Sequence, residues 1–252
     1  MKTVLITGCS SGFGLAIARY FLDRDWAVIA TMRAPREDLL PRSPNLRVLA
    51  LDVTDPQSIR HAVDAAGPID ALVNNAGFGA VSPAEAVPMK TVRELFDTNT
   101  FGTIAVTQAV LPQFRQRKEG VIVNITSAVT LKPPRLMSVY SASKAAVEAF
   151  TEGLALELEP FNIRAKLVLP GRAPETRLGE NVQALMAGSG FPEAYSDMAQ
   201  GVFASWAQEP ADHVTRATDV AEAVWRAATD PSCPARLPAG VDAVALSAEI
   251  RN

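Results

Sequence analysis

Thr3-Val4-Leu5-Ile6-Thr7-Gly8-Cys9-Ser10-Ser11-Gly12-Phe13-Gly14 is the stretch that decides the fold. Its opening residues are β-branched or apolar and read as a strand over 3–7. Glycines then punctuate the chain at Gly8, Gly12 and Gly14, and a helical pattern follows over 12–23. A strand that turns through glycines into a helix lets backbone approach a ligand closely. It also offers that ligand the free N–H groups and partial positive charge of the helix start, which suits a pyrophosphate. A glycine-rich turn by itself is as often plain turn chemistry, and the spacing here is Gly-x-x-x-Gly-x-Gly rather than Gly-x-Gly-x-x-Gly. The strand before it and the helix after it give the turn its weight.

Further apolar runs at 26–31, 46–51, 71–73, 121–125 and 165–169 read as strands, with helical patterns at 56–65, 88–117, 138–158 and 219–229 between or after them. Strands that are apolar without interruption are buried on both faces, so a parallel sheet with helices on both sides is predicted. Right-handed crossovers make this a doubly wound α/β domain, whose ligands bind beyond the carboxyl ends of the strands. After Pro170-Gly171 the pattern loosens through 172–215, and residues 235–246 are expected to add a last strand near Val241.

The chain has 252 residues, 48% hydrophobic and 20% charged, which suits one large domain spanning 1–252. A net charge of -3 without a basic stripe argues against nucleic acid as a partner. Cys9 and Cys233 are too few and too far apart for a disulfide framework, so a reducing compartment is expected. Met1 runs directly into the first strand, and no apolar run has the length of a membrane span. A cytoplasmic protein with no membrane partner is therefore expected. His61 and His213 are the only histidines, and no His, Cys or carboxylate pattern has metal-ligand spacing, so no metal is expected. Cys9 reads as a small apolar filler of the turn.

Several segments in order point to a known family. Asp52-Val53 follows the third strand, Asn74-Asn75-Ala76-Gly77 ends the fourth, and Asn99, Ser127, Tyr140 and Lys144 come next, followed by Pro170-Gly171. With the Thr7-Gly8-x-x-x-Gly12-x-Gly14 turn, these resemble the motifs of the short-chain dehydrogenase/reductase family, over roughly residues 1–175. The resemblance implies a nicotinamide dinucleotide held by Gly8, Ser10, Ser11, Gly12, Phe13 and Gly14, with Asp52 and Val53 at the adenine. Asn75, Ala76 and Gly77 would shape the adenine-ribose pocket, and Pro170-Gly171 would form the turn after the sixth strand. It also implies a catalytic tetrad of Asn99, Ser127, Tyr140 and Lys144. Asn99 would bend its helix and hold a water that links Lys144 to solvent, and Lys144 would also hold the nicotinamide ribose.

The residues themselves bear on the cofactor and the chemistry. An acidic residue at the end of the second strand would accept from the ribose 2′-hydroxyl of NAD. The strand ends Ala30-Thr31-Met32-Arg33, and Glu37 and Asp38 read as loop residues. Arg33 can bond a phosphate, with Ser11 as a second donor, so NADP (NADPH) is expected; the alternative for Arg33 is an ordinary solvated charge. Tyr140 and Lys144 share one face of a helix. An ammonium there favours the phenolate and is expected to lower the phenol's pKa, which suits an acid/base pair, although such pairs are common on solvated helices. Ser127 is positioned to bond a carbonyl oxygen, with Thr126 and Ser141 as rival hydroxyls.

In one respect the sequence departs from the family. A threonine usually stands four residues after the glycine of the Pro-Gly turn, where it meets the nicotinamide carboxamide, and here Thr176 comes one position late. Either the loop bulges so that Thr176 reaches, or another group takes that role. The segment 172–215 resembles the family's substrate lid, with Leu178, Met186, Phe191, Tyr195, Met198, Phe203 and Trp206 as candidate wall residues beside Phe78, Leu131 and Met137. Core packing is the rival reading of each. The expected activity is reversible reduction of a hydrophobic ketone or aldehyde to an alcohol, closest to hydroxysteroid/retinol dehydrogenase-like members. The resemblance further implies a homodimer or homotetramer built on the helices at 88–117 and 138–158. The rivals are an epimerase or dehydratase, for which the chain is short, and a catalytically silent NADP-binding redox sensor, which would not need both Tyr140 and Lys144.

Overall fold

The computed structural model describes residues 1–174, 192–210 and 212–251. Seven parallel strands form one sheet: β1 (Thr3–Ile6), β2 (Ala27–Met32), β3 (Leu46–Ala50), β4 (Ala71–Asn74), β5 (Gly120–Ile125), β6 (Ile163–Pro170) and β7 (Arg236–Ala239). Their spatial order is β3-β2-β1-β4-β5-β6-β7. The order reverses between β1 and β4, where Val4 pairs with Ala71 and Ile6 with Val73. That switch point opens a crevice at the carboxyl ends of these two strands.

Both faces of the sheet are apolar because alternate residues of each strand point to opposite sides. Val4, Ile6, Val28, Ala30, Val73 and Val123 join one core with Ile17 and Phe21 of α1 (Gly12–Leu22). Leu5, Ile29, Leu72 and Ile122 join a second core. Its helical side comes from α2 (Pro56–Ala66), α4 (Gly102–Arg117) and α5 (Ser138–Leu158). Between α2 and α4 lies α3 (Met89–Phe96), and α6 (Ser196–Gln208) and α7 (Ala217–Thr229) follow β6. Val220 and Val224 of α7 pack in the first core. There Phe21, Trp26 and Trp225 meet edge to face with centroids 5.1–5.8 Å apart, which locks α1 against α7. The predicted doubly wound, single-domain α/β fold is the fold observed.

Two expected elements differ. The helix predicted over 88–117 is split by a π-helical turn, Asp97–Phe101, between α3 and α4. The last strand lies within the expected stretch 235–246 but stops short of Val241. It ends at Ala239, Gly240 turns the chain at φ +96°, and Val241 begins the C-terminal helix α8 (Val241–Arg251). A left-handed residue breaks the extended run, and glycine adopts it without steric cost. Among the described residues no helix is long and apolar enough to cross a membrane.

Candidate active site

The glycine turn is built against the end of β4. Thr7 Oγ1 accepts from the N–H groups of Asn75 and Ala76, each at 3.0 Å. The Asn75 amide in turn donates to the carbonyls of Thr7 at 2.8 Å and Gly8 at 3.0 Å. Gly8 stands at φ +75° and Gly12 at φ +54°, in the region glycine favours. A Cβ on Gly14 would lie 2.3 Å from the Gly8 carbonyl oxygen, so only glycine lets α1 start this close to the turn. Ser11 caps α1 without a side-chain hydrogen bond, and no acidic residue stands in its first turn. The helix start therefore keeps its positive character, and Gly8, Ser10, Ser11, Gly12 and Phe13 all line the adjoining cleft. This is a cradle that fits a dinucleotide pyrophosphate.

Ser127, Tyr140, Lys144 and Asn99 converge on the carboxyl ends of β4 and β5. The Ser127 hydroxyl and the Tyr140 phenol line the same cleft side by side, and Ser127 Oγ accepts from the Val129 N–H at 3.4 Å. Lys144, one helical turn after Tyr140 on α5, donates to the Ile125 carbonyl at 3.0 Å. Asn99 lies in the π-helical turn and is buried. Its amide donates to the Phe78 carbonyl at 2.9 Å and to Ser143 Oγ at 3.1 Å, while its Oδ1 accepts from Phe78 N–H at 3.0 Å. A Cβ on Gly77 would come within 2.9 Å of Asn99 Oδ1 and 3.3 Å of Lys144 Nζ, so these three residues meet at one point. A π-helical turn re-aims the backbone within an otherwise regular helix, and such turns recur at functional sites.

The electrostatics depart from the sequence expectation. Burial pushes the Tyr140 phenol up to about 12, and the neighbouring Ser127 hydroxyl opposes this only in part. Burial brings the Lys144 ammonium down to about 8. The phenol thus holds its proton through the neutral range, while Lys144 is mostly charged at pH 7. A sequence reveals the neighbouring charge but not the desolvation, and here desolvation is the larger effect. Cys9 is fully buried in the turn and its thiol is pushed up to about 12, which keeps it protonated and unreactive.

One cleft of about 1470 Å³ joins these groups. At one end it is lined by Met32, Arg33, Asp52, Val53, Asn75, Ala76 and Gly77. Burial works to raise the Asp52 carboxyl, but hydrogen bonds from Thr54 and the nearby Arg33 guanidinium outweigh it and hold the group below its usual value. Met32 is only 2% exposed and belongs to the core, whereas Arg33 is exposed. At the other end lie Ser127, Tyr140, Lys144, Pro170 and Gly171, walled by Phe78, Val129, Met137, Phe203 and Trp206. Leu131, Tyr195 and Met198 do not line it. Thr176, Leu178, Met186 and Phe191 lie outside the described residues.

The C-terminal helix also reaches the cleft, which the sequence reading missed. Asp242 of α8 accepts from the Arg172 N–H at 2.6 Å and from Thr215 Oγ1 at 2.6 Å. Thr215 Oγ1 accepts from the Gly171 N–H at 2.9 Å. These bonds pin the Pro170-Gly171 turn, and a Cβ on Gly171 would strike the Asp242 carboxylate at 2.1 Å. A Gly-Val-Asp sequence after a strand is a possible helix start, and that was the available signal. Among the described residues no group of three or more His, Cys, Asp or Glu side chains is arranged to hold a metal.

A family model described as short chain dehydrogenase matches residues 2–186. Human retinol dehydrogenase 8 is 35% identical over 241 residues, covering 87% of this chain and 77% of that protein. A short-chain dehydrogenase structure from Streptomyces avermitilis superposes with a TM-score of 0.83 at 32% identity, covering 99% of this chain and 92% of that one. The closed form of a serine dehydrogenase complexed with NADP+ gives 0.79 at 30% identity, covering 94% and 93%.

Proposed function

Because this chain belongs to the short-chain dehydrogenase family, we propose that it is an NADPH-preferring oxidoreductase that reversibly reduces a hydrophobic ketone or aldehyde to an alcohol. The observation that carries this reading is the placing of Ser127, Tyr140 and Lys144 in the same cleft as the glycine turn. When bound, the nicotinamide supplies or accepts the hydride. Ser127 bonds the carbonyl oxygen and steadies the charge that develops on it. Tyr140, which keeps its proton at neutral pH, delivers that proton to the same oxygen. Lys144 holds a positive charge beside the phenol and bonds the nicotinamide ribose, and Asn99 keeps the loop at Phe78 in place beside it.

The glycine turn and the start of α1 would cradle the pyrophosphate, and Asp52, Val53 and Asn75–Gly77 would surround the adenosine. Arg33 and Ser11 would meet the 2′-phosphate. Phe78, Val129, Met137, Phe203 and Trp206 give the substrate end an apolar wall, which supports a hydrophobic carbonyl compound. Phe203 and Trp206 on the cleft wall support a lid role for the described part of 172–215, while residues 175–191 of the expected lid lie outside the described residues. The test is loss of NADPH absorbance on mixing the protein with acetophenone, a 3-ketosteroid and all-trans-retinal. Turnover of at least one is expected. Tight NADPH binding with none of the three reduced would favour the silent redox-sensing alternative.

The active assembly is proposed to be a homodimer or homotetramer. Phe101, 58% exposed at the start of α4, and Leu156, 72% exposed on α5, support pairing through these helices. Light scattering of the purified chain should give two or four times the 26.9 kDa chain mass. A monomer mass at micromolar concentration would refute it.

A further inference from the structure

Glu148 is a buried carboxylate that takes no part in the chemistry above. It lies on α5, one turn beyond Lys144, is 7% exposed and does not line the cleft. Its Oε1 accepts from the hydroxyl of Thr126 at 3.2 Å and from the hydroxyl of Thr130. These two residues flank Ser127. Its Oε2 accepts from Arg236 Nη2 of β7 at 2.6 Å, and Arg236 Nη1 continues to Glu152 Oε1 at 2.8 Å. The edge strand of the sheet thereby holds the carboxylate, and the carboxylate holds both ends of the loop that carries Ser127. We infer that Glu148 is a positioning residue that sets the Ser127 hydroxyl against Tyr140, an inference that rests on reading Ser127 as the group that binds the substrate oxygen.

Each threonine hydroxyl has one proton and a choice of acceptors. For Thr126 the rival is the Val168 carbonyl at 3.4 Å, and for Thr130 it is the Ser127 carbonyl at 2.7 Å. Bonds to an ionised acceptor are the stronger, so the charge on Glu148 decides the choice. The neutral alternatives would let the Thr130 hydroxyl turn to the Ser127 backbone instead. The pair with Arg236 is buried on the carboxylate side and part-exposed on the guanidinium side, and such a pair adds little to stability, so stability alone does not account for a charge here. A fixed acceptor shared by Thr126 and Thr130, on either side of Ser127, does. Lys144 bonds the Ile125 carbonyl from the same helix, so α5 grips the end of β5 at two successive turns.

The test compares wild type, Ser127→Ala, Glu148→Gln and the double variant in the full chain. It uses NADPH with whichever of acetophenone, the 3-ketosteroid or all-trans-retinal is reduced fastest. Glu148→Gln keeps shape and an acceptor oxygen but removes the charge. It should lower kcat roughly tenfold with the Kd for NADPH unchanged, and should cost nothing further in the Ser127→Ala background, because groups that act through one another are not additive. Partial recovery in Glu148→Asp is also expected. An unchanged kcat in Glu148→Gln, or the same loss with and without Ser127, overturns the inference. If Glu148→Gln fails to fold, Thr130→Val tests the same non-additivity with Ser127→Ala. Wild-type kcat in Ser127→Ala would instead overturn the underlying reading of Ser127, and this inference with it.

Discussion

Tyr140→Phe is expected to cut carbonyl reduction by ~10³-fold while leaving NADPH binding within a factor of about two. Phenylalanine keeps the ring, its volume and its packing against the cleft, and removes only the oxygen. The cofactor end of the cleft is formed by other residues, from Met32 to Gly77, so its affinity has no reason to change. What is lost is the group proposed to donate the proton. Ser127 remains, but a serine hydroxyl is a far weaker acid than a phenol and cannot substitute for it. The burial that pushes Tyr140 up to about 12 also fixes the sense of the pH dependence. The phenol is protonated through the neutral range, so reduction has its acid available there. Alcohol oxidation needs the phenolate, a minor form at pH 7, and should rise as the pH is raised. Kinetics of the variant, paired with fluorescence titration of NADPH, provide the check. Activity within fivefold of wild type would remove Tyr140 from the mechanism.

That burial was not legible in the sequence. Tyr140 and Lys144, four residues apart on a helix, reveal a charge beside a phenol and so suggest a lowered pKa. How little water reaches the phenol depends on residues such as Val81 and Trp206, brought in from separate segments. The strands were easier to read. Residues such as Leu72 and Val73 are apolar on both faces of the sheet, which leaves an unbroken run in the sequence. The glycine turn was legible because its neighbours fix its setting, and the cradle at Gly8 and Gly14 follows from steric limits that only glycine satisfies. The π-helical turn at Asp97–Phe101 left no mark on the apolar pattern, which one extra residue within a helix barely disturbs, and only the resemblance, through Asn99, implied a local bend there. The last strand falls in the expected stretch 235–246 but ends at Ala239, because Gly240 turns the chain before Val241. Asp242 and Glu148 were missed for a common reason. Each acts on a loop distant in sequence, Gly171-Arg172 in one case and Thr126–Thr130 in the other, and local pattern carries no trace of such pairings.

Arg33→Asp should move the ratio of kcat/KM for NADPH over NADH by ~10²–10³ toward NADH. The structure selects this position over Met32. Met32 is 2% exposed in the core, so a carboxylate there would be buried without a partner and would strain the fold before it altered preference. Arg33 is exposed at the end of β2, on the cleft wall, and its charge already reaches Asp52. Hydrogen bonds to a charged group contribute about 1.5–3 kcal/mol, and that contribution is lost with the guanidinium. The new carboxylate adds repulsion of the 2′-phosphate and, toward NADH, an acceptor for the ribose 2′-hydroxyl. About 1.4 kcal/mol corresponds to tenfold, so the two effects together reach the stated range. Arg33→Ala isolates the first effect and should give the smaller part of the change. Both should be measured at low ionic strength, because salt screens an exposed charge. Asp52 keeps its bonds from Thr54 in either variant, so its carboxylate stays anchored although it loses the nearby guanidinium. If Arg33→Asp leaves the preference ratio as it was, Arg33 is a solvated surface charge and the case for NADPH loses its footing in this chain.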